Sequence, residues 1–227
     1  MKLIRIFIAI FMLIPAWICA FVSRKYNKEK IHNNLSIWSR RVISVLGYKL
    51  IVEGVENLET KTNIYFVSNH QGTFDPAIIL GASNVPISFI SKKQNEKLPL
   101  IGSWSKTIKN IHFDRDSRED NIRMLRESAR RLKAKDNLLI FPEGTRSKND
   151  IVNEFKVGSI QPAYLGKSTI IPIVLNNSYA FDQRKPKSNK IKIKFLKPIV
   201  YEDYKKYSQK EISQILHDLI EKEITFS

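Results

Sequence analysis

The sequence predicts one α/β domain behind an N-terminal helical segment, and two observations carry that expectation. From residue 49 onward, short apolar runs alternate with stretches of helical periodicity, the pattern of strands and helices taken in turn. The 227 residues are enough for a single sizeable core, and no internal repeat, low-complexity tract or further boundary divides them. The simplest division is therefore residues 1–47 as N-terminal membrane-associated helices and residues 48–227 as the α/β domain.

The first element follows Met1-Lys2-Leu3-Ile4-Arg5. Residues 6–22 are uncharged and mostly apolar, and Ser23-Arg24-Lys25 closes the run. As a helix it would be about 26 Å long, at the short end for a hydrocarbon core of roughly 30 Å. It would either just span a bilayer or lie in one leaflet. Pro15 and the basic residues at both ends weaken any argument for its orientation from charge asymmetry. A secretory signal peptide is the less favoured reading, because the apolar centre is long and no small-x-small cleavage site precedes Arg24. Next, Leu35 to Gly47 keeps apolar residues near helical spacing with Trp38 and the pair Arg40-Arg41, so a second helix is expected there, interfacial or packed on the domain, with Gly47 as its stop.

Strands are expected at Lys49–Val52, Ile64–Val67, Ile87–Ile90, Ile111–Phe113, Leu138–Phe141, Ile170–Leu175 and Lys190–Phe195. The last alternates strictly, with lysines on a wet face that discourage edge pairing. Between strands, the best-defined helix covers 118–133, with Ile122, Leu125, Ala129 and Leu132 facing inward and Arg123, Arg126, Arg130 and Arg131 toward solvent. At the C-terminus Ser208-Gln209-Lys210-Glu211 has capping-box form ahead of Ile212, Ile215, Leu216, Leu219 and Ile220, an amphipathic helix.

Charge narrows the partner class. Thirty-eight Lys and Arg against 22 Asp and Glu give +16, which favours an anionic partner: nucleic acid, a membrane surface or phosphorylated small molecules. Aromatic residues are not interleaved with the lysines of the alternating strand, which lowers the nucleic-acid reading. A single cysteine, Cys19, lies inside the apolar run and offers neither a disulfide framework nor a plausible thiolate nucleophile. His32, His70, His112 and His217 are scattered with no pair at zinc-ligand spacing, so no metal is expected.

Chemistry concentrates at strand ends. Asn69-His70-Gln71-Gly72-Thr73-Phe74-Asp75 joins an apolar strand to a helix opened by Pro76, placing an imidazole where backbone becomes loop and a carboxylate five residues later. In such a turn Asp75 can take the proton on one ring nitrogen, freeing the other to accept a proton from substrate. Asp before Pro is equally a helix cap. Ile111-His112-Phe113-Asp114-Arg115 and Phe141-Pro142-Glu143-Gly144-Thr145-Arg146-Ser147 each end a strand with an arginine, whose planar fork of donors suits a phosphate monoester, and Ile170-Ile171-Pro172-Ile173-Val174 reads as a buried strand interrupted by proline.

Together and in this order, these four blocks resemble those of the glycerolipid acyltransferases, most closely the 1-acylglycerol-3-phosphate acyltransferase family. Asn69-His70 with Asp75 looks like the first motif, Phe113 to Arg115 the second, Phe141 to Ser147 the third and Ile171 to Val174 the fourth, the likeness covering roughly residues 50 to 200. Ser91-Lys92-Lys93, Pro99-Leu100-Ile101-Gly102 and Phe155-Lys156-Val157-Gly158 are similar to its linking segments, while the second motif departs in carrying His112 before Phe113. The resemblance implies a mixed central sheet flanked by helices. It implies an enzyme moving a fatty acyl group from acyl-CoA or acyl carrier protein to the hydroxyl of lysophosphatidate, making phosphatidic acid for phospholipid biosynthesis without a cofactor. In that scheme His70 is the general base and Asp75 its support; Arg115 and Arg146 meet the acceptor phosphate, Glu143, Gly144 and Thr145 shape the acceptor site, and Lys92 adds charge. The expected setting is the membrane, with the active site on its cytoplasmic face and no nucleic-acid partner. Acylation of another lysophospholipid or a lyso-amino lipid, or a non-catalytic basic membrane-binding protein, are the alternatives.

Overall fold

The structure is a computed structural model that describes residues 2–59, 62–98 and 101–225. Met1, and Pro99 and Leu100 of one linking segment, lie outside the described residues. Among the described residues seven strands form one sheet: β1 Lys49–Glu53, β2 Ile64–Ser68, β3 Ser88–Lys92, β4 Ile111–Phe113, β5 Leu138–Ile140, β6 Thr169–Asn176 and β7 Lys190–Phe195. Their order is β1-β7-β6-β2-β5-β3-β4, and every pairing is parallel except β6 with β7. The mixed sheet implied by the resemblance is present, each strand within two residues of its expected bounds. Because β2, β5, β3 and β4 are contiguous and parallel, the chain leaves all four at the same edge, where open α/β sheets bind their ligands.

Strand β2 is buried along its whole length because both faces of the sheet are covered. Ile64 and Phe66 enter one core with Ile78, Ile79, Leu139, Ile171 and Phe195. Tyr65 and Val67 enter the other with Leu132, Leu138, Ile140 and Leu216. Eight α-helices are described: α1 Lys2–Ser23, α2 Lys28–Val45, α3 Asp75–Ala82, α4 Ile101–Thr107, α5 Arg118–Lys133, α6 Gln161–Gly166, α7 Tyr201–Tyr204 and α8 Gln209–Thr225. Helix α3 contributes Ile78 and Ile79 to the first core; α5 and α8 contribute Leu132 and Leu216 to the second.

Helix α1 covers the expected apolar run, yet among the described residues no helix is long and apolar enough to cross a membrane. Its inner side is made of small residues: Ala16 and Ala20 are buried, and Ala20 packs in a cluster with Ile31, Leu35, Trp104 and Ile108. Arg24 Nε donates to Thr107 Oγ1 at 3.2 Å, fastening its end to α4. The other side leaves Phe7, Phe11, Ile14, Trp17, Ile18 and Phe21 exposed.

Helix α2 starts seven residues before the apolar pattern at Leu35, because Asn27 caps it by accepting the Lys30 N–H at 2.9 Å. It is packed on the domain through α3: the Arg40 guanidinium and the Ser36 hydroxyl both donate to the Gly81 carbonyl, and His32 Nε2 donates to the Ser83 carbonyl at 2.9 Å. Burial chiefly lowers the His32 pKa below its ordinary 6.5, holding the ring neutral. A depressed folded pKa means that this stabilisation is present above 6.5 and is lost as pH falls from there through the folded value. Accordingly, the melting temperature should fall on acidification below about pH 6.5, and His32→Gln should flatten that limb; an identical pH–Tm curve in the variant would remove His32 from the account.

Two inward faces differ from expectation. In α5 the buried residues are Met124, Ser128, Arg131 and Leu132, while Ile122 is exposed. Arg131, expected in solvent, is buried because its guanidinium finds three partners: Asp136 at 2.8 Å, Ser88 Oγ at 2.7 Å and the Lys109 carbonyl. In α8 the buried stripe is Ile212, Ser213, Leu216, Ile220 and Ile224, with Ile215 and Leu219 at its exposed margin. The capping box forms as expected, Ser208 and Glu211 each accepting the other's backbone N–H. Pro172, expected to interrupt its strand, lies inside β6. Its carbonyl accepts the Leu196 N–H on the β7 side, so its missing N–H would face that side too, where the chain swings away before Ile199 returns to pair with Ile170.

Candidate active site

Past the end of β2, Asn69 extends the sheet by its side chain. The amide donates to the Leu175 carbonyl at 2.9 Å and accepts the Leu175 N–H at 2.8 Å, copying the bonds that another backbone residue would make. The next residue, His70, is thereby delivered to the sheet edge at a fixed angle. Asp75 begins α3 with its carboxylate turned back toward the loop: Oδ2 accepts from His70 Nδ1 at 2.7 Å, Gln71 N at 2.7 Å and Gly72 N at 3.0 Å. All three donors precede the helix, so the carboxylate organises the loop and does not cap the helix.

Asp75 is fully buried, whereas the His70 side chain remains 20% exposed. A carboxylate only accepts, so the proton belongs on Nδ1, and Nε2 makes no hydrogen bond among the described residues. The ring stacks on Phe141, centroids 4.1 Å apart and planes within 18°. Carboxylate, ring stack and loop thus hold one imidazole nitrogen toward solvent.

The loop after β5 is bound to this loop at several points. Buried Glu143 accepts the His70 N–H at Oε1 (2.5 Å) and the backbone and side chain N–H of Asn153 at Oε2 (3.0 and 2.7 Å). Burial pushes its carboxyl above the usual range, opposed by those donors. Ser147 N donates to His70 O at 2.8 Å and Lys148 N to Gln71 O at 3.1 Å. On the other flank Gln71 Oε1 accepts Ser178 N at 3.0 Å, and Gly72 sits so close that a Cβ would fall 2.9 Å from the Ser178 carbonyl oxygen. Glycine is required there by backbone approach.

The structure joins some expected site residues and leaves others apart. His70, Asp75 and Glu143 form one bonded unit. Gly144 turns the chain at φ +75° and its carbonyl accepts from the half-buried Arg115. Arg146 is exposed and donates to the Thr73 hydroxyl, on the first loop. Lys92 and Thr145 are exposed, and among the described residues no side-chain contact ties either to the pair. Sequence reasoning gave no role to Phe141, Asn153 or Gln71, whose partners are distant in the chain. The one group of metal-ligand type among the described residues is His217, Asp218 and Glu221 on α8, where Asp218 and Glu221 are exposed and neither His217 nor Asp218 is bonded to His70, Asp75 or Glu143.

Fold and site together define an α/β protein with a histidine–carboxylate pair at the carboxyl edge of its sheet. The acyltransferase family model matches residues 49–176, more than half of the chain and the stretch that holds every residue of the bonded unit. The chain belongs to the acyltransferase family. It is 26% identical over 230 residues to a 1-acyl-sn-glycerol-3-phosphate acyltransferase of Haemophilus influenzae, with 99% of this chain and 95% of that protein covered. It is 34% identical over 139 residues to the Saccharomyces cerevisiae protein of that name, covering 59% of this chain and 45% of the relative. With the Limnanthes douglasii protein of that name the identity is 25% over 182 residues, 78% of this chain, so the chain spans 64% of that relative's length. The crystal structure of the 1-acyl-sn-glycerophosphate (LPA) acyltransferase PlsC from Thermotoga maritima shares the fold, with a TM-score of 0.74 at 21% identity, covering 97% of this chain and 96% of that one.

Proposed function

We propose that the protein transfers a fatty acyl group from an acyl thioester, acyl-CoA or acyl carrier protein, to the free hydroxyl of 1-acylglycerol 3-phosphate, giving phosphatidic acid. The observation that carries the reading is the 2.7 Å bond from His70 Nδ1 to buried Asp75, with Nε2 free at an edge furnished with arginines, in a chain whose relatives bear that activity's name. The mechanism needs only groups of this chain. Nε2 of His70 takes the proton from the acceptor hydroxyl as its oxygen forms the new bond to the thioester carbonyl carbon. The carbon–sulfur bond then breaks, and the imidazolium returns the proton to the departing thiolate. Asp75 supports the cationic ring between the two transfers, a contribution of the general-base kind. Arg146, Arg115 and Lys92 are the cations that would meet the acceptor phosphate.

The acceptor keeps its tail in lipid, and two features fit work at that surface. Helix α1 displays Phe7, Phe11, Ile14, Trp17 and Phe21 as one exposed apolar band, suited to burial within a single leaflet. The chain's +16 adds attraction of about 1 kcal/mol for each Lys or Arg near an anionic leaflet. The catalytic edge would then work on the cytoplasmic side, where the thioester donor is soluble.

The test is purified protein offered a panel of lysolipids with acyl-CoA and with acyl carrier protein thioester, products resolved by mass. Phosphatidic acid should be the main product, at least tenfold ahead of any diester lysophospholipid in kcat/KM. Equal turnover of diester acceptors, or thiol release with no lipid product, would overturn the assignment.

A further inference from the structure

We propose that Lys156 determines acceptor specificity: with Arg115 it makes a two-cation seat over Gly144 that takes the terminal phosphate monoester. The inference deepens the function proposed above and rests on it. Lys156 precedes the short turn at Val157–Ile160, and its backbone is pinned there, its N–H donating to the Pro142 carbonyl at 3.1 Å and its carbonyl accepting the Ser159 N–H at 2.8 Å. From that anchor the side chain bends back across Gly144. A Cβ on Gly144 would lie 3.2 Å from Lys156 Cε, 3.3 Å from its Nζ and 2.9 Å from Arg115 Nη1. Both cationic ends therefore crowd a single face of one residue, and glycine is what leaves that face open.

Charge balance points to an anion. Two other cation clusters of this chain are matched with carboxylates: Arg131 and Lys28 share Asp136, and Arg123 and Lys93 share Asp120. Over Gly144 neither Arg115 nor Lys156 forms an ion pair among the described residues, although Arg115 is half-buried, which works against its charge and is only partly offset by the nearby Asp116 carboxylate. One nitrogen of Arg115 is occupied by the Gly144 carbonyl, leaving the rest of the fork and the ammonium to close on the same oxygens. Two cations suit the two charges of a monoester, whereas a phosphodiester carries one charge and a bulky substituent where the second cation would bind. The seat adjoins the base, because Gly144 follows the residue whose carboxylate holds the His70 N–H.

The experiment compares full-length wild type, Lys156→Gln and Lys156→Arg with acyl-CoA, using lysophosphatidate and a diester lysophospholipid as acceptors. Lys156→Gln should raise the lysophosphatidate KM about tenfold or more, with the donor KM and the Tm nearly unchanged, and should shrink the monoester-to-diester preference by the same factor. Lys156→Arg should restore most of it. An unchanged acceptor KM, or a loss that falls on the donor KM instead, would overturn the seat. If the wild type acylates no lysophosphatidate, the functional reading fails by itself, and the seat is then read by titration with glycerol 3-phosphate: binding weakened at least tenfold in Lys156→Gln supports it, and equal binding sinks it.

Discussion

Replacing His70 with alanine should lower kcat by two orders of magnitude or more while the protein still folds. The expected size is that of a lost general base, about 10²- to 10⁴-fold. Folding should survive because the loop is held by groups the substitution leaves in place. Glu143 binds the His70 backbone N–H, not its ring, and Asp75 keeps its bonds to Gln71 N and Gly72 N. The lost contacts are the stack on Phe141 and one hydrogen bond at a partly exposed site. Acyl transfer by the purified variant near the wild-type rate would show that the acceptor hydroxyl is deprotonated by some other group.

Asp75→Ala should cost both activity and stability. It strips the shared acceptor from Gln71 N and Gly72 N, and a buried donor left unpaired costs about 1–3 kcal/mol. In a chain of this size each kcal/mol lowers Tm by roughly 2–4 °C, so a drop of several degrees should accompany a loss of turnover comparable to His70→Ala. Asp75→Asn separates the two effects. Its amide oxygen can still accept the backbone donors, so most of the stability should return, whereas its neutral charge no longer supports an imidazolium, and kcat should stay down by about 10²-fold or more. Wild-type turnover in Asp75→Asn would limit the carboxylate to holding the loop.

What the sequence disclosed followed the range of the interactions involved. The His70–Asp75 pair was legible because both residues lie in one turn, and β2 was legible because complete burial writes an unbroken apolar run. Arg131 was misplaced since a salt bridge to Asp136 and a bond to Ser88 depend on where β3 lies, which helical periodicity does not record. The start of α2 is written in Asn27, a polar capping signal that apolar periodicity does not carry. Glu143 read as part of an acceptor loop, yet its carboxylate reaches the backbone of a residue 73 positions away. Lys156 had no assigned role because only the turn of the chain at Gly144 brings it beside Arg115.

The joining of the two loops by Glu143, Ser147 and Lys148 has a mechanical outcome. Whatever grips a ligand on the second loop would move in step with the imidazole on the first, so in the proposed mechanism the span from anchor to base would be a fixed yardstick. An acceptor with one extra methylene between phosphate and hydroxyl would present its oxygen past the reach of Nε2, and chain geometry alone would then screen out homologues that charge recognition admits.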